Sequence, residues 1–367
     1  MGLYFLVGLP CFVGFLLFAR VRLGAVNAAV REPRSVSVII PARNEEENLP
    51  HLLESLKHQT RAPQEIIVVD DCSADRTGEI AASYGARVIR GTEPPARWTG
   101  KNWAVWNGFL QSTGDILVFF DADVRLAPKA LERLLAARKL CGGAISVVPS
   151  HDMEKPYEKL SLVVYLLGVL AFTSRFERKN KKRGLYGSCI VAARDDYVKI
   201  SGHESVHEEV LDDMSLGRRL TQAGVPIENY IGGDLVSFRM YPGGLLSELQ
   251  GFGKGALAST SCLMPATVLI ISVWLAGLFA TGFGAPILLL AGHPWAWAFL
   301  SGYVLYALQI LYFAKCTGRY GLIPPLFHMI SSFFFIVVMI YAIYRVVFVG
   351  TVTWKGRQID VKGGRDT

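Results

Sequence analysis

The chain has 367 residues, 51% of them hydrophobic and 19% charged, with a formal net charge of +7 and a mean hydropathy of +0.32. That is too apolar for a wholly soluble enzyme and too polar for a bare bundle of membrane helices; a soluble domain joined to membrane helices satisfies both limits. The one dense basic run, Arg175 to Arg183, carries no nucleic-acid-binding motif, which excludes nucleic acid and leaves anionic lipid headgroups or an ordinary solvated loop.

In chain order, Gly2 to Phe18 is almost wholly apolar and is followed by Arg20, Arg22, Arg31 and Arg34. A cleaved secretory signal carries its charges ahead of the apolar core. The reverse order predicts a retained transmembrane anchor over 1–19 and a linker over 20–34. The basic flank and the domain after it are then expected in the cytoplasm. The six cysteines show no paired spacing, so neither a disulfide framework nor a zinc site follows, and a reducing compartment suits them.

From Ser35 the pattern becomes α/β. Val36–Ile40 reads as a strand ending at Pro41, and Asn44 as the cap of a helix striped by Leu49, Leu52, Leu53 and Leu56, with Glu47 at the capping-box position. Ile66–Val69 is a second strand ending at Asp70 and Asp71, and Ser73–Asp75 caps the next helix. Arg87–Ile89 is a third strand, Lys101–Ser112 a helix, and Ile116–Phe120 a fourth, wholly apolar strand that stops at Asp121-Ala122-Asp123. Strands alternating with helices predict a mostly parallel, doubly wound sheet. Ligands bind outside the carboxyl ends of such strands. An Asp-x-Asp there suits Mg²⁺ or Mn²⁺ bridged to phosphates; acids capping the helix opened by Pro128 are the plainer alternative. Two strands ending in paired acids favour a nucleotide crevice, and the absence of G-x-G-x-x-G and of a P-loop excludes the common dinucleotide and NTPase folds.

The apolar run Leu160–Phe172 is shorter than the ~20 residues a span needs, so it is expected to be interfacial or buried. Gly187–Ala193 reads as a strand. Leu211–Leu220 reads as a helix with Asp212 and Asp213 in its first turn, where acids also complement the helix dipole. From Cys262 three spans are expected, at 263–283, 286–313 and 325–349, then a basic tail over 351–367. Three spans after an inward anchor put that tail outside, whereas Lys355, Arg357, Lys362 and Arg365 favour inside; one re-entrant segment would reconcile the two. His203-Glu204-Ser205-Val206-His207 matches the zinc-protease H-E-x-x-H. A membrane zinc metalloprotease is therefore the competitor from another class, opposed by the helix-breaking Ser201-Gly202 before it and the charged Glu208-Glu209 after it.

Five segments, taken together and in order, resemble family 2 glycosyltransferases. They are Pro41–Glu46, Val69–Thr77, Trp98-Thr99-Gly100-Lys101, Asp121-Ala122-Asp123 and Gly202-His203 followed by Leu211-Asp212-Asp213. The resemblance covers about residues 35–260. Arg239–Pro242 and Trp354–Arg357 are similar to the membrane-anchored branch that glycosylates carotenoid or hopanoid-type lipids, the diaponeurosporenoate glycosyltransferases among them. The resemblance implies a GT-A domain over 35–260, a UDP-sugar donor, Mg²⁺ or Mn²⁺, inversion at the anomeric carbon and a lipid acceptor at the cytoplasmic face of the plasma membrane. Polyprenyl-phosphate glycosylation is the alternative within the class. No feature points to an obligate protein partner.

Carried onto this chain, Asp71 accepts the uracil N3–H, with Asp70 beside it or merely capping the turn, and Pro41, Ala42 and Glu45 line the uridine. Lys101 sits near the donor phosphates, Asp121 contacts the ribose or the metal, and Asp123 binds the metal. Asp213 is the base, with Asp212 as its fallback or orienting neighbour. His203, Gln250 and Lys254 are placed on the acceptor side. Processive synthases of the family carry Q-x-x-R-W, whereas Gln250-Gly251-Phe252-Gly253-Lys254 lacks the Arg and Trp, which implies non-processive transfer. An acceptor carboxylate is already ionised, so the presence of Asp213 leans towards a hydroxyl acceptor.

Overall fold

The computed structural model describes residues 2–17, 21–27, 32, 34–345, 351–354 and 357–360. The chain divides into two compact units, one built from Val21–Ser150, Lys181–Arg239 and Val349–Thr367, the other from Met1–Arg20, His151–Asn180 and Met240–Phe348.

The first unit is organised by a seven-stranded sheet. Its strands, in chain order, are β1 (Val36–Ala42), β2 (Glu65–Asp70), β3 (Arg87–Arg90), β4 (Ile116–Phe120), β5 (Ala144–Val148), β6 (Cys189–Ala193) and β7 (Ile227–Ile231). They lie in the order β3-β2-β1-β4-β6-β5-β7. All neighbours are parallel except β6, which runs antiparallel to both β4 and β5. This is the mostly parallel α/β, GT-A-like sheet expected. The strand foreseen at 187–193 is present and shorter, and its reversed direction was not foreseen.

Unbroken apolar strands are explained by burial on both faces. Val38, Ile40, Val118 and Phe120 pack into one layer, while Ile39, Leu117 and Phe119 pack into the opposite one. Each such side chain contributes about 1.5–3 kcal/mol relative to exposure. Helix Gly100–Leu110 lies close on β1 and β2 because residue 108 is glycine: a Cβ there would stand 2.5 Å from Ile39 Cγ2.

The opposite rim is tied by Glu65, whose Oε1 accepts from Ser37 Oγ (2.6 Å), Thr113 N (2.7 Å) and Thr113 Oγ1 (2.8 Å). Burial alone pushes this carboxyl up, but the bonds from Ser37 and Thr113 outweigh it and hold it below the ordinary glutamate range. Its stabilisation is therefore full above the unfolded glutamate pKa and lost as pH falls through the lowered folded value. Glu65→Gln is expected to destabilise the protein by about 1–3 kcal/mol at pH 7, with the difference closing in acid; melting curves in detergent at the two pH values check this.

The second unit is helical. Its long elements are Gly2–Leu17, Leu162–Thr173, Leu245–Ser261, Pro265–Leu290, Ala296–Thr317 and His328–Tyr344. Pro265–Leu290 and Ala296–Thr317 are long and apolar enough to cross a membrane, as is the stretch Pro156–Lys179. The last was expected to be too short. Short 3-10 turns on either side of Leu162–Thr173 extend it, while Leu162, Leu166 and Leu170 are fully buried, as expected of a buried segment. The break expected near 284 lies instead at 291–295, since Pro286 is carried inside the helix. The final helix ends at Tyr344 rather than 349, and 346–350 lie outside the described residues. Polar glue suits helices in an apolar phase: Gln309 accepts from Trp274 Nε1 (2.8 Å) and donates to the Cys11 carbonyl (2.6 Å). In the basic run Glu177 turns inward to Thr267 while Arg175, Arg178 and Lys179 stay exposed. In the tail, which is grouped with the first unit, Thr351–Trp354 pairs antiparallel with Arg357–Asp360; Lys355, Lys362 and Arg365, like Arg20 and Arg31, lie outside the described residues.

Candidate active site

The parallel pairing of β1 with β2 and with β4 brings the carboxyl ends of all three strands to one rim. β1 delivers Pro41 and Ala42, β2 delivers Asp70 and Asp71, and β4 delivers Asp121 and Asp123 just beyond Phe120. Asp71 is buried, 3% exposed. Its N–H donates to the Ala42 carbonyl (2.8 Å), and Arg43 donates to its carbonyl (2.8 Å) and stands 3.9 Å from its Oδ2. Asp70 instead accepts from Ser73 N (3.0 Å) and so holds the turn. Asn44 does not cap a helix. It adopts φ 53°, tolerable for asparagine, and accepts from Ala74 N (2.8 Å), tying two rim loops together. The helix starts at Leu49 behind Asn48. Glu45 donates its N–H to Thr77 Oγ1 (2.8 Å), and its carboxylate accepts from Asn48 (2.9 Å).

Thr99 caps the helix that begins at Gly100 by accepting from Asn102 N (3.3 Å). Lys101, in the first turn, places Nζ 2.8 Å from Asp121 Oδ1. Burial alone would push its ammonium down, but Asp121, Asp212 and Asp213 around it raise it above the ordinary lysine range, so it stays charged. Among the described residues no three His, Cys, Asp or Glu side chains form a cage for a metal. Asp121 and Asp123, both half-buried, flank the buried Ala122 at the end of β4. Such a pair fits Mg²⁺ or Mn²⁺, which are commonly held by one or two carboxylates and completed by phosphates and water.

Asp212 and Asp213 open the helix Asp212–Gln222. Asp213 Oδ2 accepts from Gly187 N (2.8 Å) and Oδ1 from Met214 N (2.8 Å). A Cβ at Gly187 would stand 3.0 Å from Asp213 Oδ2, so the loop before β6 approaches the carboxylate closely because it carries glycine there. Burial, and then the charge of Asp212, push Asp213 well above the usual carboxylate range against the pull of Lys101.

His203 is 2% exposed and lies on a 3-10 turn, Gly202–Val206, facing Tyr197 and Asp212. That corrects its acceptor-side placement: its ring has no open surface to offer. It also removes the zinc-protease alternative. His207 turns to Glu208 (3.3 Å) and to the Glu204 carbonyl (2.7 Å), because a 3-10 turn does not bring positions i and i+4 to one face. Gln250 is exposed on Leu245–Ser261; Lys254 is on the same helix, with its side chain outside the described residues.

Two further residues complete the site, and only the first went unnamed by the sequence motifs. Asn102, fully buried, donates from Nδ2 to the carbonyls of Val206 (2.8 Å), His207 (3.2 Å) and Glu209 (3.1 Å). It fastens the start of the Lys101 helix to the loop that leads to Asp212. Trp98 packs edge-on to Trp103 (5.1 Å) and beside His207 (5.2 Å), an aromatic corner next to Lys101. For Asn102 the one available hint was its adjacency to the Trp98–Lys101 motif, of which Trp98 is itself a part.

Residues 37–200 match the family model described as "Glycosyl transferase family 2". The chain is 33% identical over 97% of its length to the 4,4'-diaponeurosporenoate glycosyltransferase of Staphylococcus haemolyticus (strain JCSC1435), also covering 97% of that protein. It is 30% identical to the enzyme of the same name from Staphylococcus aureus (strain MRSA252), with 89% of each chain covered. Among solved structures it is similar to the mannosyltransferase PcManGT of Pyrobaculum calidifontis (TM-score 0.49, 16% identity, 90% of this chain and 94% of that one). It is also similar to glucosyl-3-phosphoglycerate synthase of Mycobacterium tuberculosis (TM-score 0.41, 21% identity, 66% and 84%). With a sheet whose rim gathers these acids and a near full-length relative at this identity, the chain belongs to glycosyl transferase family 2 and is an enzyme of that family.

Proposed function

We propose that this glycosyltransferase moves one sugar, with inversion and without processivity, from a UDP-sugar to a carotenoid-type lipid acceptor at the cytoplasmic face of the plasma membrane. The observation that carries this reading is the shared rim, where Asp71, Asp121, Asp123 and Lys101 lie at the ends of parallel elements. Asp71, held by Arg43 and the Ala42 carbonyl, is fixed to accept the uracil N3–H, a charge-assisted bond. Pro41, Ala42 and Glu45 line the nucleoside. Lys101, permanently charged, faces the diphosphate. Asp123 and Asp121 would hold Mg²⁺ or Mn²⁺, which supplies Lewis-acid neutralisation of the leaving diphosphate.

Asp213 takes the proton from the attacking acceptor oxygen. The names of the Staphylococcus relatives bring a carotenoid carboxyl group alongside the hydroxyl expected from sequence. Where sequence alone treats such a carboxylate as already ionised, desolvation in an apolar phase raises its pKa and favours a form that still carries a proton. The base therefore has work with either group, and a base whose own pKa is raised is matched to it.

The test is to incubate membranes containing the protein with a panel of radiolabelled UDP-sugars and a carotenoid acceptor, with and without Mn²⁺, and to extract the lipid. One labelled lipid product that needs Mn²⁺ is expected. A folded sample that bound no UDP in the presence of Mn²⁺ would overturn the donor assignment.

A further inference from the structure

Behind the paired acids lies a buried chain of polar groups that the catalytic reading does not use. Tyr197, on helix Arg194–Lys199, is fully buried, and its hydroxyl oxygen meets His203 twice. It accepts from the His203 backbone N–H (3.0 Å) and lies 2.7 Å from His203 Nδ1. On its other side the imidazole places Nε2 3.4 Å from Asp212 Oδ2. Phe119 from β4 (5.6 Å) and Tyr197 (5.8 Å) pack beside the ring.

The proton count selects one tautomer. With the backbone N–H already donated to the phenol oxygen, the phenol proton is free to go to Nδ1. Nδ1 is then the acceptor, and a neutral imidazole carries its proton on Nε2. Asp212 Oδ2 is 3.4 Å from that nitrogen. The separation is longer than a formed hydrogen bond, a geometry that commonly tightens when a catalytic complex assembles.

We propose that Tyr197 and His203 are positioning residues for the base: Tyr197 fixes the tautomer of His203, whose Nε2–H keeps Asp212 ionised, and the charge of Asp212 leaves its neighbour Asp213 as the group that accepts the acceptor's proton. This rests on Asp213 being the base. It gives Asp212 a role distinct from a reserve base, and it explains a buried Tyr–His pair that touches no substrate. Among the described residues, the titratable groups placed against the acids include Lys101 from helix Gly100–Leu110, itself paired with Asp121 from the end of β4, His203 from its turn and Tyr197 behind it. His203 brings a ring nitrogen within 3.4 Å of Asp212 Oδ2, while the Lys101 ammonium bonds to Asp121.

The sign is set by the pair. With the His203 donor removed, Asp212 loses a group that favours its charged form and takes up a proton ahead of Asp213. Asp213 then sees a neutral neighbour, and its pKa falls. The experiment compares pH profiles of kcat for lipid glycosylation by the full-length protein in membranes. His203→Phe keeps an aromatic ring and removes the donor. It is expected to move the acidic limb to lower pH by about one unit, to reduce the plateau about tenfold, and to leave the KM for UDP-sugar unchanged. His203→Gln, which retains an N–H, is expected to restore the limb towards the wild-type position, and Tyr197→Phe to shift it partway. UDP binding by each variant confirms that it has folded. A His203→Phe limb identical to wild type, or identical limbs for His203→Phe and His203→Gln, would overturn the proposal. Asp213→Asn, run alongside, separates the two readings: if it is active, the base assignment fails whatever the His203 variants do.

Discussion

Replacing Asp213 with asparagine is expected to lower kcat by about 10²–10⁴-fold, the usual contribution of a positioned general base, while UDP binding in the presence of Mn²⁺ persists. The side chain is held from two directions, by Gly187 N and Met214 N, so its position is set before any acceptor arrives. Asparagine keeps the volume and one accepting oxygen but cannot take a proton. Wild-type activity is expected to fall on acidification along a limb above the ordinary carboxylate range. Burial is the largest reason and the charge of Asp212 the next. The sign is fixed by mechanism: the reactive form is the carboxylate, so activity is present above the raised pKa and lost below it. Steady-state kinetics across pH, on both proteins, check the magnitude and the direction together. A variant with near wild-type kcat at every pH would remove Asp213 from the chemistry.

Asp123→Asn is expected to abolish stimulation by Mn²⁺ and to cost about 10²–10³-fold in kcat, the scale on which loss of preorganised charge stabilisation is felt. In metal-free buffer the variant and the wild type are expected to be equally slow. Asp121→Asn separates the two acids. Asp121 is the 2.8 Å partner of the Lys101 ammonium, so its loss leaves that cation with only Asp212 and Asp213 to offset its desolvation and lowers thermal stability as well as activity. Titration of UDP binding against Mn²⁺, with melting temperatures for both variants, distinguishes the roles. Undiminished Mn²⁺ stimulation in Asp123→Asn would count against the metal assignment.

The elements that sequence reads well are those whose cause is local. Ile116–Phe120 is a strand because five apolar side chains in a row bury on both faces, and Leu49, Leu52, Leu53 and Leu56 make a helix because their spacing is one face of a helical turn. Acids directly after such strands announce a site because carboxylates at the end of a buried strand need a reason. Asn44 shows the limit. Its type and position fit a helix cap, yet the loop after β2 offered it Ala74 N, and a contact thirty residues away in sequence prevailed. His203 shows another: its motif suggests a ligand, and only the turn it occupies shows that the ring faces inward to Tyr197.

Sequence by itself determined the alternation of strands and helices, the apolar helices, and the order of acidic pairs, because hydrophobic period and residue chemistry act over a few neighbours. Tertiary structure alone decided that β6 runs against its neighbours, that Asp70 holds a turn while Asp71 is buried beside Arg43, and that Tyr197, His203 and Asp212 stand in line. Those facts depend on which backbone groups and which protons remain to be satisfied once distant segments have packed together, and no local pattern encodes that.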